Sequence, residues 1–414
     1  MLRFERTFRE MILQSASQLL QPVVQALADQ FDASFQPGPK QRWVERRHLE
    51  ITGLFGSMHL YRDYYCDGQH GHCPADAALA LEGSYTPALS RMMCRAAAKN
   101  PYAEASADLF EFAGVKVCDR QIQRLVQEVA PAVAPWLKTV QDQGQSALMY
   151  ACGDGTGVPM RKEELAGRQG KQPDGSAKTR EAKLGCVFLQ TEVDKDGHPI
   201  RKEDSTSYIG SFEGAVEFGL LLRQEAQRRG MAQATQIIFI GDGAAWIWEL
   251  ARVNFPAAVL ILDFYHALQH VHGLVEAIWG KESPEGKKRI KRWKGWLLKD
   301  KVRELVKQAK ENLTSALDTE KAQKEIGYLE NNLERMAYGT FRKAGYFIGS
   351  GVVEAGCKTV IGQRMKCSGM FWSEEGGQGM LDLRCAFLSN RLDAFCQART
   401  VQHAARNDLL QWAA

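Results

Sequence analysis

The sequence predicts a mixed α+β and α/β protein. An N-terminal helical and hairpin region is followed by a mixed five-stranded sheet with flanking helices, interrupted by an all-helical insertion. Three observations predict this. Two short apolar runs, ALMYAC at 147–152 and IIFI at 237–240, each lead into a glycine-flanked aspartate, Asp154 and Asp242. Such runs are the pattern of buried strands, and in open α/β sheets ligands bind at the carboxyl edge of the strands. Strand-like and helix-like segments then alternate up to residue 263, and from 264 to about 343 the pattern is almost wholly helical.

The chain has 414 residues, enough for two or three domains. Hydrophobic residues make up 45% and charged residues 25%, an ordinary globular balance. No apolar run reaches the ~18–20 residues of a membrane span, so no membrane partner is expected. The start, MLRFERTFREMILQ, lacks the apolar core of a secretion signal. The ten cysteines are scattered, as reduced thiols are in a cytoplasmic protein. The net charge of +4 is mild, but residues 281–310 hold twelve Lys/Arg against four Asp/Glu, with Trp293 and Trp296 interleaved.

Residues 1–35 predict an amphipathic helix with Leu19, Leu20, Val23, Val24 and Leu27 on one face. Residues 41–65 alternate apolar and polar positions around Gly53 and Gly56, which predicts a β-hairpin. The segment CDGQHGHCPAD follows. Its Cys66, His70, His72 and Cys73 are candidate zinc ligands, but zinc sites normally split their ligands into two pairs on separate turns. The alternative is a surface turn joining the hairpin to the next helix.

Between about 87 and 130 the sequence reads helix, helix, a short glycine-containing turn, and a third helix from Asp119. That is the helix-turn-helix pattern. Cys118 or Asp119 would cap the last helix. With Ile122, Leu125 and Val126 facing inward, Arg120, Gln121, Gln123 and Arg124 would face a DNA major groove. The alternative is a plain helical bundle. Pro131 and Pro135 close this region, and a boundary is expected near 145, giving a first domain of 1–145.

The second domain opens with the first aspartate. A polar, basic loop covers 160–183. Strands are expected at 184–193 and 205–209, a helix at 213–229, the strand leading to Asp242, a helix at 244–253, and a strand at 257–262 ending in Asp263. After GSG at 349–351 another helix starts. The expected catalytic domain therefore comprises 146–263 and 344–380, with a helical insertion at 264–343 and C-terminal helices at 381–414.

This is a ribonuclease-H-like order, in which the first and fourth strands lie side by side, about 4.8 Å apart. Asp154 and Asp242 would then share divalent cations, because two close carboxylates repel unless a cation lies between them. Hard oxygen ligands suit Mg²⁺ or Mn²⁺. Glu354, in the first turn after Gly351, is placed to be a third carboxylate, with Lys358 at i+4 on the same face.

The segments DGTGVP, GDGAAWIW, DFYH (Asp263 to His266) and GSGVVEAGCKTVIGQRMKCSGMFW resemble those of DDE transposases of bacterial insertion sequences. The likeness is to the Kra-type group and its Mutator-like relatives, and it covers nearly the whole chain. Members of the group often carry a two-cysteine turn before a Pro-Asp pair, and CDGQHGHCPAD departs from that pattern. The resemblance implies Mg²⁺-dependent strand cleavage and 3′-hydroxyl strand transfer on DNA with two metal ions. Asp154 would bridge the ions, and Asp242 and Glu354 would hold one each. His266 would orient a phosphate or nucleophile, or be a half-buried histidine capped by Asp263. With His270 it would make a zinc pair, a less fitting choice beside carboxylates. Arg364 and Lys366 would hold phosphates. Trp372 would stack on an unpaired base, or anchor the C-terminal helices. Lys288, Arg289 and Arg292 would add sequence-independent DNA binding, or form a solvated helix face. The implied partners are double-stranded DNA, as terminal inverted repeats and target, and a second copy of the chain, in a bacterial cytoplasm at the nucleoid. The rival functions are a ribonuclease-H-like nuclease without strand transfer and a non-catalytic DNA-binding protein derived from a transposase.

Overall fold

The computed structural model describes residues 1–141 and 147–405, in which helices take up 55% and strands 19% of the chain, a mixed α+β composition. The chain divides into two units, Met1–Lys138 with Asp382–Ala414, and Thr139–Leu381. The boundary expected near 145 lies outside the described residues. The helix Leu392–Ala405, expected to belong to a separate C-terminal piece, is part of the first unit.

In the first unit the helix Leu2–Ser34 packs on a hairpin of β1 (Arg42–Gly53) and β2 (Gly56–Cys66), to which β3 (Gly71–His72) adds a short third strand. Gly53 pairs with Gly56 at the hairpin tip, and Gly56 takes φ +124°, a value that L side chains rarely adopt. Leu20, Val24, Ala28 and Phe31 meet Ile51, Met58 and Leu60. Three of the residues expected on the inner face, Leu19, Val23 and Leu27, are exposed. The buried positions of the helix are Ser17, Ala28 and Asp32, and Leu20, Val24 and Phe31 pack half-buried on the same cluster. Helices Pro87–Lys99, Tyr102–Ala113 and Asp119–Val129 follow. Gly114, at φ +73°, stops the second, and Cys118 caps the third, its N–H donating to Gln121 Oε1 at 2.8 Å. Ile122, Leu125, Val126 and Val129 face inward.

The second unit is built on a mixed sheet of β4 (Leu148–Pro159), β5 (Thr179–Val193), β6 (Pro199–Arg201), β7 (Ser207–Ser211), β8 (Gln236–Gly241) and β9 (Val259–Leu262). The order is β6-β5-β4-β8-β9, and β7 pairs with β5 beside β6. β4, β8 and β9 are parallel, while β5 runs antiparallel to β4. The sixth strand is the three-residue β6, too short to carry a period. The helix Ala215–Arg228 connects β7 to β8, and Ala245–Asn254 connects β8 to β9. Tyr150, Phe188, Phe218, Phe239 and Phe255 fill the core, with Tyr150 stacked on Phe188 at 4.7 Å.

One strand differs from expectation in a way that matters for the site. β4 does not stop before Asp154. It pairs with β8 only as far as Cys152, but with β5 as far as Pro159. Gly155 and Gly157 make room for its partners: a Cβ on Gly155 would lie 2.6 Å from Glu181 Oε1. After β9 come helices Phe264–Trp279, Pro284–Leu297, Val302–Glu311, Thr319–Asn331 and Tyr338–Lys343. Their buried residues, Trp293, Leu305 and Leu329 among them, belong to the same hydrophobic cluster as the sheet. The helix Gly351–Gly356 runs on into a π-helical turn, Cys357–Gly362.

Candidate active site

Strand register sets the site. Cys152 pairs with Ile240, and Gly241 pairs with Leu262. Continuing the same registers places Asp154, just past the point where β4 parts from β8, level with Asp242 and Asp263 at the carboxyl ends of β8 and β9, with the strands about 4.8 Å apart. Asp154 and Asp242 are half-buried, and Asp263 is wholly buried.

Each carboxylate is held differently. Asp242 Oδ1 accepts the N–H of Ala244 at 3.0 Å, which opens the turn into the helix Ala245–Asn254. Asp154 accepts the N–H of Gly155 at 2.7 Å and is hydrogen-bonded to the thiol of Cys357. Burial pushes the Asp154 carboxyl above its usual range; the negative charges of Asp242 and Glu354 push the same way, and its hydrogen bonds oppose them. Asp263 caps the helix Phe264–Trp279, accepting the N–H of His266 at 2.6 Å, and also accepts the N–H of Ser350.

The helix Gly351–Gly356 crosses this row. Glu354 sits in its first turn, and its Oε1 accepts the Ser350 hydroxyl at 3.0 Å. Ligand atoms of Asp263, His266 and Glu354 lie within 4.8 Å of one another. Cys357, three residues further on, reaches Asp154 at the other end of the row. Close approach of the helix requires a small residue: a Cβ on Gly356 would lie 2.6 Å from Tyr208 Cε1. The π-helical turn begins at Cys357, directly after this crossing.

The expected site residues divide into those brought together and those that are not. Asp154 and Asp242 stand on adjacent strands at one edge of the sheet, and Glu354 and His266 group with Asp263 there; among the described residues Asp154, Asp242 and Glu354 do not form a group with ligand atoms close enough for one ion. Lys366 is exposed and reaches the far end of β4, its Nζ donating to Thr156 Oγ1 at 2.5 Å. Lys358 is exposed on the π-helical turn that follows the crossing helix. Arg364 is a correction: it is fully buried, its guanidinium lies 5.3 Å from the Trp372 ring centroid, and Nη1 faces Met370 Sδ, so it cannot reach a phosphate. Trp372 is likewise core, 7% exposed, with its indole N–H donating to the Met365 carbonyl at 3.0 Å. The core-anchor alternative describes it.

On the helix Pro284–Leu297, Lys288 and Arg292 are exposed, but Arg289 is half-buried and held by Glu285 at 2.7 Å. Trp293 is buried and donates to Gln308, so of these two tryptophans it is Trp296, under Arg292, that borders the basic face. In the first unit Arg120, Gln121 and Arg124 are exposed and Gln123 is half-buried, with Gln121 engaged in its own helix cap. The zinc reading of Cys66, His70 and Cys73 is also corrected. Among the described residues these do not form a group with ligand atoms close enough for one ion. Asp67 instead closes the turn by accepting the N–H groups of Gln69 and His70, and Cys73 is buried with its thiol pushed up to about 11.

Two side chains at the site escaped sequence reasoning as site members, Asp263 and Cys357. The first had a signal: it ends the apolar run AAVLIL just as Asp242 ends its own, but without flanking glycines.

No family model matches the chain. It is similar to the UPF0236 protein in the vanSb 3′ region of Streptococcus gallolyticus, at 24% identity over 345 residues, covering 81% of this chain and 72% of that protein. Among the described residues no helix is long and apolar enough to cross a membrane.

Proposed function

We propose that the protein is a DDE-type DNA transposase with a ribonuclease-H-like catalytic unit and a helix-turn-helix in its first unit. The observation that carries the reading is a row of aspartates on adjacent strands, at one end of which a helix sets Glu354 beside Asp263, with Cys357 reaching Asp154 at the other. The donor set fits a hard divalent cation. Its groups are carboxylate oxygens, two of the aspartates stand half-exposed, and Asp154 is pushed up partly by its acidic neighbours, a repulsion that a cation relieves.

Asp154, Asp242 and Glu354 would hold Mg²⁺ or Mn²⁺, which when bound supplies Lewis-acid activation of water or a 3′-hydroxyl and neutralises charge on the scissile phosphate. The chain itself positions the DNA. Lys358 and Lys366, exposed beside the row, hold phosphates of the strand at the cut. His266, close to Glu354, orients a phosphate oxygen or the nucleophile. Arg120, Gln121 and Arg124 read the terminal repeat in the major groove, and Lys288 and Arg292 add sequence-independent contact. Joining two element ends calls for at least two copies of the chain.

The test is incubation of purified protein and Mg²⁺ with fragments from the DNA flanking its coding region and a supercoiled target plasmid. Cleavage leaving 3′-hydroxyl ends, followed by their joining to the plasmid, is expected, with both steps lost in Asp242→Ala. Joining that persists in Asp242→Ala overturns the assignment. Cleavage that never proceeds to joining favours a nuclease.

A further inference from the structure

The turn that presents Asp242 is held from outside the sheet. The Tyr328 hydroxyl, on the helix Thr319–Asn331, donates to the backbone carbonyl of Asp242 at 2.7 Å. Gly243 stands beneath it at φ +97°, and a Cβ there would lie 2.3 Å from the Tyr328 oxygen. The glycine therefore serves two needs, a left-handed backbone and space for the phenol.

Tyr328 is itself fixed. Its ring stacks on His270, with centroids 3.4 Å apart and planes 18° from parallel. His270 Nδ1 bonds Glu325 Oε2 at 2.5 Å, and Glu325 lies one turn before Tyr328 on the same helix. His270 in turn lies one turn after His266 on the helix capped by Asp263. The phenol, imidazole and carboxylate thus form a brace between two helices, with one end resting on the Asp242 carbonyl.

We propose that Tyr328 is a positioning residue that fixes the Asp242 turn and so sets the affinity of the acidic row for divalent cations. The Asp242 side chain gains from this support because, among the described residues, the Ala244 N–H is the one local hydrogen bond that holds it. A carboxylate on an unbraced glycine-flanked turn samples several orientations, and a cation must then pay for ordering it. The brace removes that freedom before the cation arrives. This inference rests on the reading of the row as a cation site.

The decisive variant is Tyr328→Phe, which keeps the stack on His270 and deletes only the hydrogen bond. Hydrogen exchange of the backbone amides at 243–246 in cation-free protein should quicken about tenfold, as expected for loss of one hydrogen bond that resists local opening. The melting temperature of the cation-free protein should stay within about 2 °C of the parent, since one half-buried bond is a small part of a fold this size. Mn²⁺ titration should give an affinity weakened about fivefold. A second variant, Gly243→Ala, places a methyl where the phenol sits and should quicken exchange at the same amides. Unchanged exchange in Tyr328→Phe overturns the inference, as does quickened exchange with undiminished Mn²⁺ affinity. Quickened exchange in a protein whose wild type binds no Mn²⁺ supports the brace and overturns the cation reading instead.

Discussion

The buried Asp263 carboxylate accepts the backbone N–H of Ser350, and this bond joins the end of β9 to the turn from which the Glu354 helix starts. The two residues are 87 positions apart in the chain. The Phe264 N–H donates to the Ile348 carbonyl at 2.9 Å, a second tie at the same place. Glu354 therefore reaches the sheet edge not by the strength of its own short helix but through a carboxylate that is itself outside the expected trio.

Asp263→Asn tests this. An amide offers one acceptor where the carboxylate offers two, and its NH₂ would face a backbone N–H. Leaving one buried donor unsatisfied costs about 1–3 kcal/mol. The melting temperature should drop by several degrees, and DNA cleavage should fall much further than that drop explains. Differential scanning calorimetry beside the cleavage assay checks both, and an Asn variant that melts and cleaves like the parent removes Asp263 from the account.

The raised Asp154 carboxyl has a signed consequence. Its folded-state value lies above the ordinary value of 3.8, so between the two the folded protein binds more protons than the unfolded chain. Stability is then greatest below that window and falls as pH rises through it. In cation-free protein, melting temperature should decline across this window, and Asp154→Asn should flatten the decline. Mg²⁺ should restore stability at neutral pH in the parent but not in the variant. Thermal melts over a pH series with EDTA or with Mg²⁺ decide it, and a decline that Asp154→Asn leaves untouched assigns the titration elsewhere.

The buried thiol of Cys73 makes a prediction about metal. A thiol pushed up to about 11 by burial is a poor zinc ligand at neutral pH, since zinc takes the thiolate. Protein purified without added metal should carry no stoichiometric zinc by elemental analysis. A chelator should leave its melting unchanged. One zinc per chain, lost together with stability on Cys73→Ser, would reinstate the turn as a metal site.

How far the site could be read in advance depends on what kind of signal carried each part. Asp154 and Asp242 are legible because a short apolar run leading into Gly-Asp-Gly is a local pattern, and strand register then aligns them. The helical stretch after Asp263 is legible for the same reason, as a sustained period. Asp263 and Tyr328 act through bonds to backbone groups far away in the chain, and nothing in their own neighbourhoods announces those bonds. The continuation of β4 past Asp154 is hidden in the sequence because the apolar run ends at Cys152 and glycines at 153, 155 and 157 follow. In the structure, Gly155 and Gly157 are explained by the Glu181 and Thr179 side chains opposite. Residue type alone also misplaced Arg364 and left Trp372 open between base stacking and a core role: an arginine and a tryptophan after a catalytic glutamate suggest nucleic acid, yet packed on each other they are a core pair.

That last contrast separates two sorts of DNA-binding candidate by experiment. Lys288 and Arg292 stand on an exposed basic face, whereas Trp372 is enclosed. Each phosphate contact removed lowers the salt dependence of DNA affinity by roughly 0.9 in the log–log slope. Replacing Lys288 and Arg292 together with alanine should therefore reduce the slope by about 2, weaken binding to any duplex sequence alike, and leave the melting temperature near that of the parent. Trp372→Ala should do the reverse. Emptying a core site of that size costs about 3–5 kcal/mol, while the protein that remains folded should keep the parental slope. Affinity measured from low to high salt, beside melting curves for the same preparations, distinguishes the two. A Trp372→Ala protein that melts normally but loses grip on unpaired strands would return that ring to the DNA.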